Sequence, residues 1–358
     1  MDGKKRKTVF VGMSGGVDSS VAAGLLKKAG YSVVGVHMKC WSQELSKECT
    51  ATEDESAARV AAAHLGIPFY VWNFVAEYKH RVVDYMLEGY KQGITPNPDM
   101  MCNKEIKFGL FYEKAMKLGA DYVATGHYAR VRREIRNTKL ETRDSSDVQL
   151  LEGKDKEKDQ SYFLAFIRPE VLKNVLFPIG EYKKAQVRQI AQKLGLPNAN
   201  RRDSQGICFV GKVKLSDFLK EYIAPRYGEI VDMQGNVLGK HEGAFYYTVG
   251  QRQGLDLPGG PYFVVKKDIE KNQLVVTKNE DDLLLSEMEV RQPNWLANVP
   301  DGKVTAKIRY RQHAVPATIH SDGKRYAVHF EQPQRAVTAG QFAAFYDGER
   351  LLGGGIIQ

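Results

Sequence analysis

The stretch Thr8-Val9-Phe10-Val11-Gly12-Met13-Ser14-Gly15-Gly16-Val17-Asp18-Ser19-Ser20 decides the fold. Thr8–Met13 is a short apolar run, and Val17–Lys28 carries apolar residues at helical spacing, so the two read as strand and helix. Ser14, Gly15 and Gly16 make the turn between them. The N–H groups at a helix start, and the positive end of its dipole, face whatever sits in such a turn, and glycines let it come close. The turn is therefore an anion site, to which Ser14 and Ser19 add hydroxyl donors. It lacks the Lys of G-x-x-x-x-G-K-[ST] and does not match G-x-G-x-x-G, which excludes a Walker A loop and a dinucleotide fingerprint.

Downstream the chain alternates. Tyr31–Met38 reads as a strand, and Asp54–Leu65 as a helix with a Thr52/Glu55 capping box before it and Gly66 and Pro68 after it. Phe69–Phe74 reads as a strand, Glu77–Tyr90 as a helix, Gly93–Cys102 as a polar loop, Ile106–Lys117 as a helix and Asp121–Thr125 as a strand. This order predicts an α/β domain with a doubly wound parallel sheet. Residues 132–158 are charged and aperiodic, as in an excursion or hairpin, and helices resume at Pro169–Leu176 and Lys183–Leu194. After residue 212 glycine-rich turns separate short alternating runs. Residues 213–277 read as a small mixed module, and the even strand spacing beyond residue 280 as a barrel or sandwich. Lys303–Arg311 puts Val304, Ala306, Ile308 and Tyr310 on one face, and Lys303, Thr305, Lys307, Arg309 and Arg311 on the other. The expected domains are thus 1–212, 213–277 and 278–358.

The 358 residues carry 52 Lys+Arg against 43 Asp+Glu, a net charge of +9, with 43% hydrophobic content. This is the composition of a globular protein with buried cores. No apolar run approaches the roughly 18 residues a membrane helix needs, and the start MDGKKRKTVFVG has no leader pattern. Four cysteines do not make a disulfide scaffold, so a reducing, cytoplasmic location is expected. Positive charge gathers in two places: residues 178–214 sum to +6 and 303–325 to +5, while the rest sums to −2. Either alone reads as a solvated face; two in one chain suit a polyanion larger than a nucleotide.

Cys40, Cys49, Cys102 and Cys208 form no C-x-x-C pair, and no metal centre is expected. Cys40 and Cys49 read as small apolar residues. Cys102 lies in Asn97-Pro98-Asp99-Met100-Met101-Cys102-Asn103, ahead of a helix expected near Lys104, where a thiolate is favoured. Cys208 follows Arg201 and Arg202 in Ser204-Gln205-Gly206-Ile207-Cys208-Phe209-Val210. Both read as activated thiols on loops. His127 follows Gly126 at the C-terminal end of a parallel strand, where open α/β sheets bind their ligands.

The S-G-G-V-D-S-S turn resembles the pyrophosphatase-loop ATP-binding family, whose members adenylate a carbonyl-type oxygen. N-P-D-x-x-C-N, G-H-Y-A-R (126–130), K-D-Q-S-Y-F-L (158–164), S-Q-G-I-C-F-V, G-x-R-x-G-L (250–255), K-I-R-Y-R (307–311) and G-G-G-I-I (353–357) extend the likeness over nearly the whole chain. In this order they resemble the tRNA 2-thiouridylases within that family. The charged stretch 132–149 is longer than the family pattern.

The resemblance implies an N-terminal pyrophosphatase-loop catalytic domain, a small central domain and a tRNA-binding C-terminal β-barrel. It implies an ATP site formed by Gly12, Met13, Ser14, Gly15, Gly16, Val17, Asp18 and Ser19, with Met38 near adenine and Gly126 letting the nucleotide pass. Asp18, repelled by phosphate, would act through Mg²⁺ or orient the loop. Cys208 would carry persulfide sulfur, Cys102 would be its partner thiol, and Asp99 a general acid or base. Asn97, Pro98, Asp99 and His127 would line the target-base pocket. Lys158, Asp159, Gln160, Arg309, Tyr310 and Gln341 would contact tRNA, although Tyr310 also suits a barrel core. The activity implied is that of a tRNA-uridine 2-sulfurtransferase: ATP-dependent 2-thiolation of the wobble uridine of the tRNAs for Lys, Glu and Gln, by a monomer fed by a sulfur carrier or cysteine desulfurase. Two other classes fit parts of the pattern: a different pyrophosphatase-loop ligase, which needs no second cysteine, and a non-catalytic RNA-binding protein, which needs no ATP turnover.

Overall fold

A computed structural model describes residues 6–41, 51–133, 148–202, 215–298, 300–323 and 325–358. Strands β1 (Thr8–Gly12), β2 (Ser32–Lys39), β3 (Phe69–Asn73) and β4 (Tyr122–Ala124) alternate with helices. The chain then leaves the sheet as an antiparallel hairpin, β5 (Ala129–Arg133) with β6 (Val148–Glu152), and returns as β7 (Val175–Leu176). The sheet order is β3-β2-β1-β4-β7, and every pairing is parallel. The first crossover helix, α1 (Val17–Lys28), and the helix Ala51–His64 connect β1, β2 and β3. The strand order reverses direction at β1 and β4, so the ligand crevice of such a sheet lies beyond their C-terminal ends.

Three local expectations are corrected. Val175–Leu176 is strand, not helix: Pro169–Leu172 is a single turn, after which the edge of β4 takes the chain as a parallel partner. Thr52 lies inside the helix Ala51–His64 and does not cap it. The helix expected from Ile106 begins at Pro98. Asn97 caps it, its side chain accepting from the Met100 N–H at 3.1 Å, and Pro98 holds the first position, where its missing N–H costs nothing. This helix runs on through a π-helical segment, Cys102–Phe111, to Tyr112–Lys117. Cys102 therefore sits in the second turn, not ahead of the helix.

The central module is the helix Leu215–Tyr222 and a four-stranded sheet of β8 (Gly228–Val231), β9 (Val237–His241), β10 (Phe263–Asp268) and β11 (Gln273–Thr277), in the order β10-β11-β8-β9. It has its own small core around Ile230, Val264, Leu274 and Val276. The last strands, β12 (Leu284–Trp295), β13 (Gly302–Lys307), β14 (Val315–Ser321), β15 (Tyr326–Arg335), β16 (Phe342–Asp347) and β17 (Arg350–Ile357), run in the order β12-β15-β14-β13-β16-β17. β17 pairs back onto β12, so the sheet closes into a six-stranded barrel without free edges.

The N-terminal part is stitched to this barrel. Hairpin strand β6 pairs with β17, Leu150 opposite Leu351 and Leu151 opposite Arg350. Phe166 packs edge-on against barrel Phe342 at 4.7 Å, and one apolar cluster contains both Trp72 and Tyr346. The alternation over 303–311 is also revised. β13 stops at Lys307, and Lys307 is buried, because residues 152–161 cover that side of the strand. Its ammonium reaches Glu152 at 2.6 Å and Asp159 at 3.1 Å. Removing one partner of such a group strands the other charges in low dielectric, at a cost of about 3–5 kcal/mol. Lys307→Ala should lower stability by about that much in urea denaturation. A loss near that of an exposed ion pair, under about 1 kcal/mol, would mean that water reaches the cluster.

Candidate active site

The turn after β1 is built to stay open. No described side chain caps α1 at Gly16, which leaves the first N–H groups of the helix without a side-chain cap. Within the turn the Ser14 N–H donates to Ser19 Oγ at 3.2 Å, and the Ser19 and Ser20 hydroxyls donate to the Gly16 carbonyl at 3.2 and 3.1 Å. Gly15 has φ +82°, and a Cβ there would lie 2.3 Å from the Asp54 carbonyl oxygen. The Gly15 carbonyl is held from outside, by Asn198 Nδ2 at 2.9 Å and by Arg201 Nη1 at 3.1 Å. Arg201 also pairs with Asp54 at 2.7 Å. Asn198 Nδ2 donates to Ser20 Oγ as well, while its buried Oδ1 has no partner among the described residues. An uncapped helix start beside an unsatisfied amide oxygen suits a ligand bearing phosphate oxygens and donor groups.

Asp18 stands in the first turn of α1. Lys184 Nζ donates to both of its oxygens at 2.8 Å, and the Tyr128 hydroxyl donates to Oδ1 at 2.9 Å. Gly12 and Met38 meet at the ends of β1 and β2, where a Cβ on Gly12 would come 2.9 Å from the Met38 Cε. Gly126 is expected to let a nucleotide pass. What approaches it here is the start of α1, with the Ser19 N 2.6 Å from where a Cβ would be.

His127, next in the chain, is buried between Phe108 and Phe177, with ring centroids 5.9 and 6.0 Å away. Its Nδ1 lies 2.7 Å from Thr125 Oγ1. Burial, reinforced by the positive charge of Lys107, holds its imidazole well below the ordinary histidine range, so it is neutral at pH 7. Phe108 and Lys107 belong to the same helix as Asp99 and Cys102. Burial pushes the Asp99 carboxyl up, and Lys107 opposes the shift. Cys102 is 6% exposed, and Asn103 Nδ2 ties back to the Asp99 carbonyl at 2.9 Å. Lys107 is the cation that acts on both Asp99 and His127. Lys104, expected to favour the thiolate, is paired with Glu105 at 3.4 Å.

The residues expected to contact tRNA divide. Asp159 is buried: Oδ1 accepts from the N–H groups of Gly153 and Ser161, and Oδ2 from the Ser161 hydroxyl and Lys307. Gln160 accepts from the Tyr128 N–H at 3.0 Å. Gln341 Nε2 donates to the Thr95 carbonyl at 2.8 Å, and Arg309 Nη2 to that of Ala336. Tyr310 is half-buried with its ring 4.5 Å from Phe163 and Arg311 over its face. Lys158 is partly exposed. Of the +6 segment, Lys184, Arg188 and Arg201 point inward to Asp18 and to backbone carbonyls. Cys208 and Cys49 lie outside the described residues. Tyr128, Lys184, Asn198, Arg201 and Lys107 are the site residues that sequence reasoning missed. Tyr128 stood inside a quoted motif, and Lys184 inside a charge run read as surface.

The state of His127 has a measurable consequence. An ordinary histidine titrates near 6.5, and here the folded value is depressed. The unfolded chain therefore takes up this proton first, and stability is lost as pH falls below 6.5, by up to about 1.4 kcal/mol per pH unit. In His127→Gln the denaturation midpoint should vary less between pH 6.5 and 5 than in the parent. An identical pH dependence would show that the imidazole is solvated.

Residues 7–212 match the family model described as tRNA methyl transferase HUP domain, 216–278 the tRNA methyl transferase PRC-barrel domain, and 285–357 the aminomethyltransferase beta-barrel domain. The whole chain is 45% identical to the tRNA-specific 2-thiouridylase MnmA of Streptococcus mutans, over 96% of that protein. It is likewise 45% identical to MnmA of Lactococcus lactis, again over 96%. Among solved structures, the U34-tRNA thiolase NcsA from Methanococcus maripaludis with its [4Fe-4S] cluster is 18% identical, covering 61% of this chain and 68% of its own, with a TM-score of 0.37. Identity of this degree along the full length, on a parallel-sheet domain joined to two β modules, means that the chain belongs to the tRNA-specific 2-thiouridylase family.

Proposed function

We propose that this protein thiolates the 2-position of the wobble uridine (position 34) in the tRNAs for Lys, Glu and Gln, using ATP and a cysteine-bound persulfide. One observation carries the reading. Through Gly126 and His127, an open helix start suited to pyrophosphate adjoins the helix that holds a buried thiol, Cys102, and a buried carboxyl, Asp99. The relatives' names point the same way. The domain names speak of methyl transfer, but a methyl transferase has no use for a pyrophosphate loop beside a thiol.

ATP, with Mg²⁺ on its phosphates, supplies the leaving group: the uridine O2 attacks the α-phosphorus and pyrophosphate departs. Ser14, Gly15, Gly16 and Ser19 hold pyrophosphate, and the neutralisation of Asp18 by Lys184 removes a repulsion from its surroundings. Asn97, Pro98 and His127 line a pocket for a uracil swung out of the anticodon stack. Raised by burial, Asp99 is a strong base once ionised and keeps a proton closer to neutrality, so it can serve in either direction. The terminal sulfur of the Cys208 persulfide attacks C2, and AMP leaves. The Cys102 thiolate then attacks Cys208 Sγ, breaking the S–S bond; 2-thiouridine leaves, and a Cys102–Cys208 disulfide remains for an external thiol to reduce. Alternatively Cys102 attacks first and releases sulfide, which attacks C2; the products are the same. A cysteine desulfurase or sulfur carrier reloads Cys208.

The decisive measurement is nucleoside mass spectrometry of wobble uridines after incubation with ATP, tRNA and a sulfur donor. Wild type should add one sulfur in place of one oxygen. Cys208→Ser and Cys102→Ser should each abolish this while still releasing pyrophosphate in a tRNA-dependent manner. Gly126→Ala should instead weaken the ATP step, lowering pyrophosphate release and thiolation together at limiting ATP. Its Cβ would press on Ser19 N, and the displaced loop should raise the KM for ATP by about tenfold, as overpacking costs about 1–3 kcal/mol. Wild type that releases pyrophosphate but leaves uridine unmodified would favour another pyrophosphatase-loop ligase. Wild type that binds tRNA without turning over ATP would favour a plain RNA-binding protein.

A further inference from the structure

Thr95 precedes the helix cap Asn97 by two residues and is 6% exposed. Each of its hydrogen-bonding groups is taken by another part of the molecule. Its N–H donates to the carbonyl of Ala339 at 3.0 Å, and its own carbonyl accepts from Gln341 Nε2 at 2.8 Å; both partners belong to the barrel. Its hydroxyl donates to that of Thr248, in the central module, at 3.3 Å. The approach is close on both sides. Gly340 has φ +87°, and a Cβ there would lie 2.9 Å from Ile94 Cβ and 3.0 Å from Thr95 N. A Cβ on Gly93 would lie 2.2 Å from Ile269.

A second tie reaches the start of the helix. Tyr162, fully buried, donates its hydroxyl to the carbonyl of barrel Phe342 at 2.9 Å, and its own single turn, Ser161–Leu164, packs against Pro98–Met101. The barrel backbone thus reaches, through Tyr162 and the packing of its turn, the first turn of the helix that carries Asp99 and Cys102.

We infer that Thr95 and Tyr162 are positioning residues, which set the Asp99–Cys102 helix in its working place only when the barrel and central module are docked. The inference rests on the thiolation reading for its kinetic consequence, but not for its structural one. Gln341, expected on tRNA, has its amide N–H directed to Thr95 here and belongs to the same brace. Tyr162 is too deeply buried to touch RNA, so its effect on the reaction must pass through the packing of its turn on the helix start. Displacing a reacting group by about 1 Å can cost up to about 100-fold in rate, and a lost buried hydrogen bond about tenfold.

Tyr162→Phe and Thr95→Val keep the packing and remove one hydroxyl each. Three readings on the full chain decide the matter: the kcat of wobble-uridine thiolation, the Kd for tRNA, and the rate at which iodoacetamide alkylates Cys102, followed by peptide mass mapping. Each variant should lose about 10- to 100-fold in kcat with tRNA affinity unchanged, and Cys102 should alkylate faster as its helix loosens. Should Tyr162→Phe fail to fold, Thr95→Val carries the same test from the other module. Wild-type kcat and wild-type alkylation in the variants would overturn the inference, as would a loss in kcat matched by an equal loss of tRNA affinity with Cys102 reactivity unmoved. If the thiolation reading itself fails, wild type adds no sulfur, and the alkylation arm alone decides whether the brace positions Cys102.

Discussion

Helix α1 starts without a cap, and much of the N-terminal domain is arranged to keep that end open. Unpaired N–H groups at a helix start are tolerated when solvent or a ligand satisfies them. Holding the turn in shape without filling it requires small residues on three sides. Gly15 adopts a positive φ against Asp54, Gly126 meets the backbone of Ser19, and Gly12 receives the tip of Met38. It also requires clamps from outside the turn. Asn198 and Arg201 hold the Gly15 carbonyl, and Lys184 with Tyr128 holds Asp18. These residues are up to 186 positions from the loop in sequence. They converge because the parallel sheet gathers its crossover ends at one edge.

That convergence explains which parts were legible in the sequence. The strand–turn–helix at residues 8–28 has local causes, namely an apolar run, two glycines and helical periodicity, and the structure reproduces it. The β/α alternation gave the parallel sheet for the same reason. The start of the 98–117 helix had local signals too, an Asn cap followed by Pro at the first helical position, but they were read as loop chemistry because Pro and Asn serve both. Long-range partners were not legible. Nothing near Lys184 announces that it turns onto Asp18, and nothing near Lys307 announces that residues 152–161 will cover it. Alternation along a strand assigns two faces, and only the tertiary fold says which of them meets water.

Charge counting has the same limit. Both basic segments were read as surfaces for a polyanion, yet several of their cations are structural: Lys184 and Arg201 at the turn, Arg188 on backbone carbonyls, and Lys307 in the barrel joint. Among the described residues of that segment, Lys303, Arg311 and Arg325 remain outward, with Arg309 half-buried against Ala336. The cationic surface of this segment is therefore narrower than its net charge suggests, with Arg311 lying over the ring of Tyr310.

The electrostatics of the site separate along its length. At the turn after β1 the charges are overt: a helix dipole, Asp18, Lys184 and Arg201, most of them partly exposed. Beyond Gly126 burial reverses the situation. The same desolvation raises the carboxyl of Asp99 and lowers the imidazole of His127, so each is driven toward its uncharged form, while Lys107 opposes the first shift and adds to the second. In the proposed reaction the two ends of the substrate pair differ in the same sense. Pyrophosphate is highly charged and gains from a dipole and nearby cations, whereas a flipped uracil is neutral and is better matched by a buried surround with an uncharged imidazole. Charge develops at the uracil only as its O2 attacks phosphorus, and Asp99 and Lys107 are the groups near enough to that end to respond. Buried groups that meet charge only as it develops favour the transition state over the bound substrate, which is the condition for raising kcat and not merely affinity.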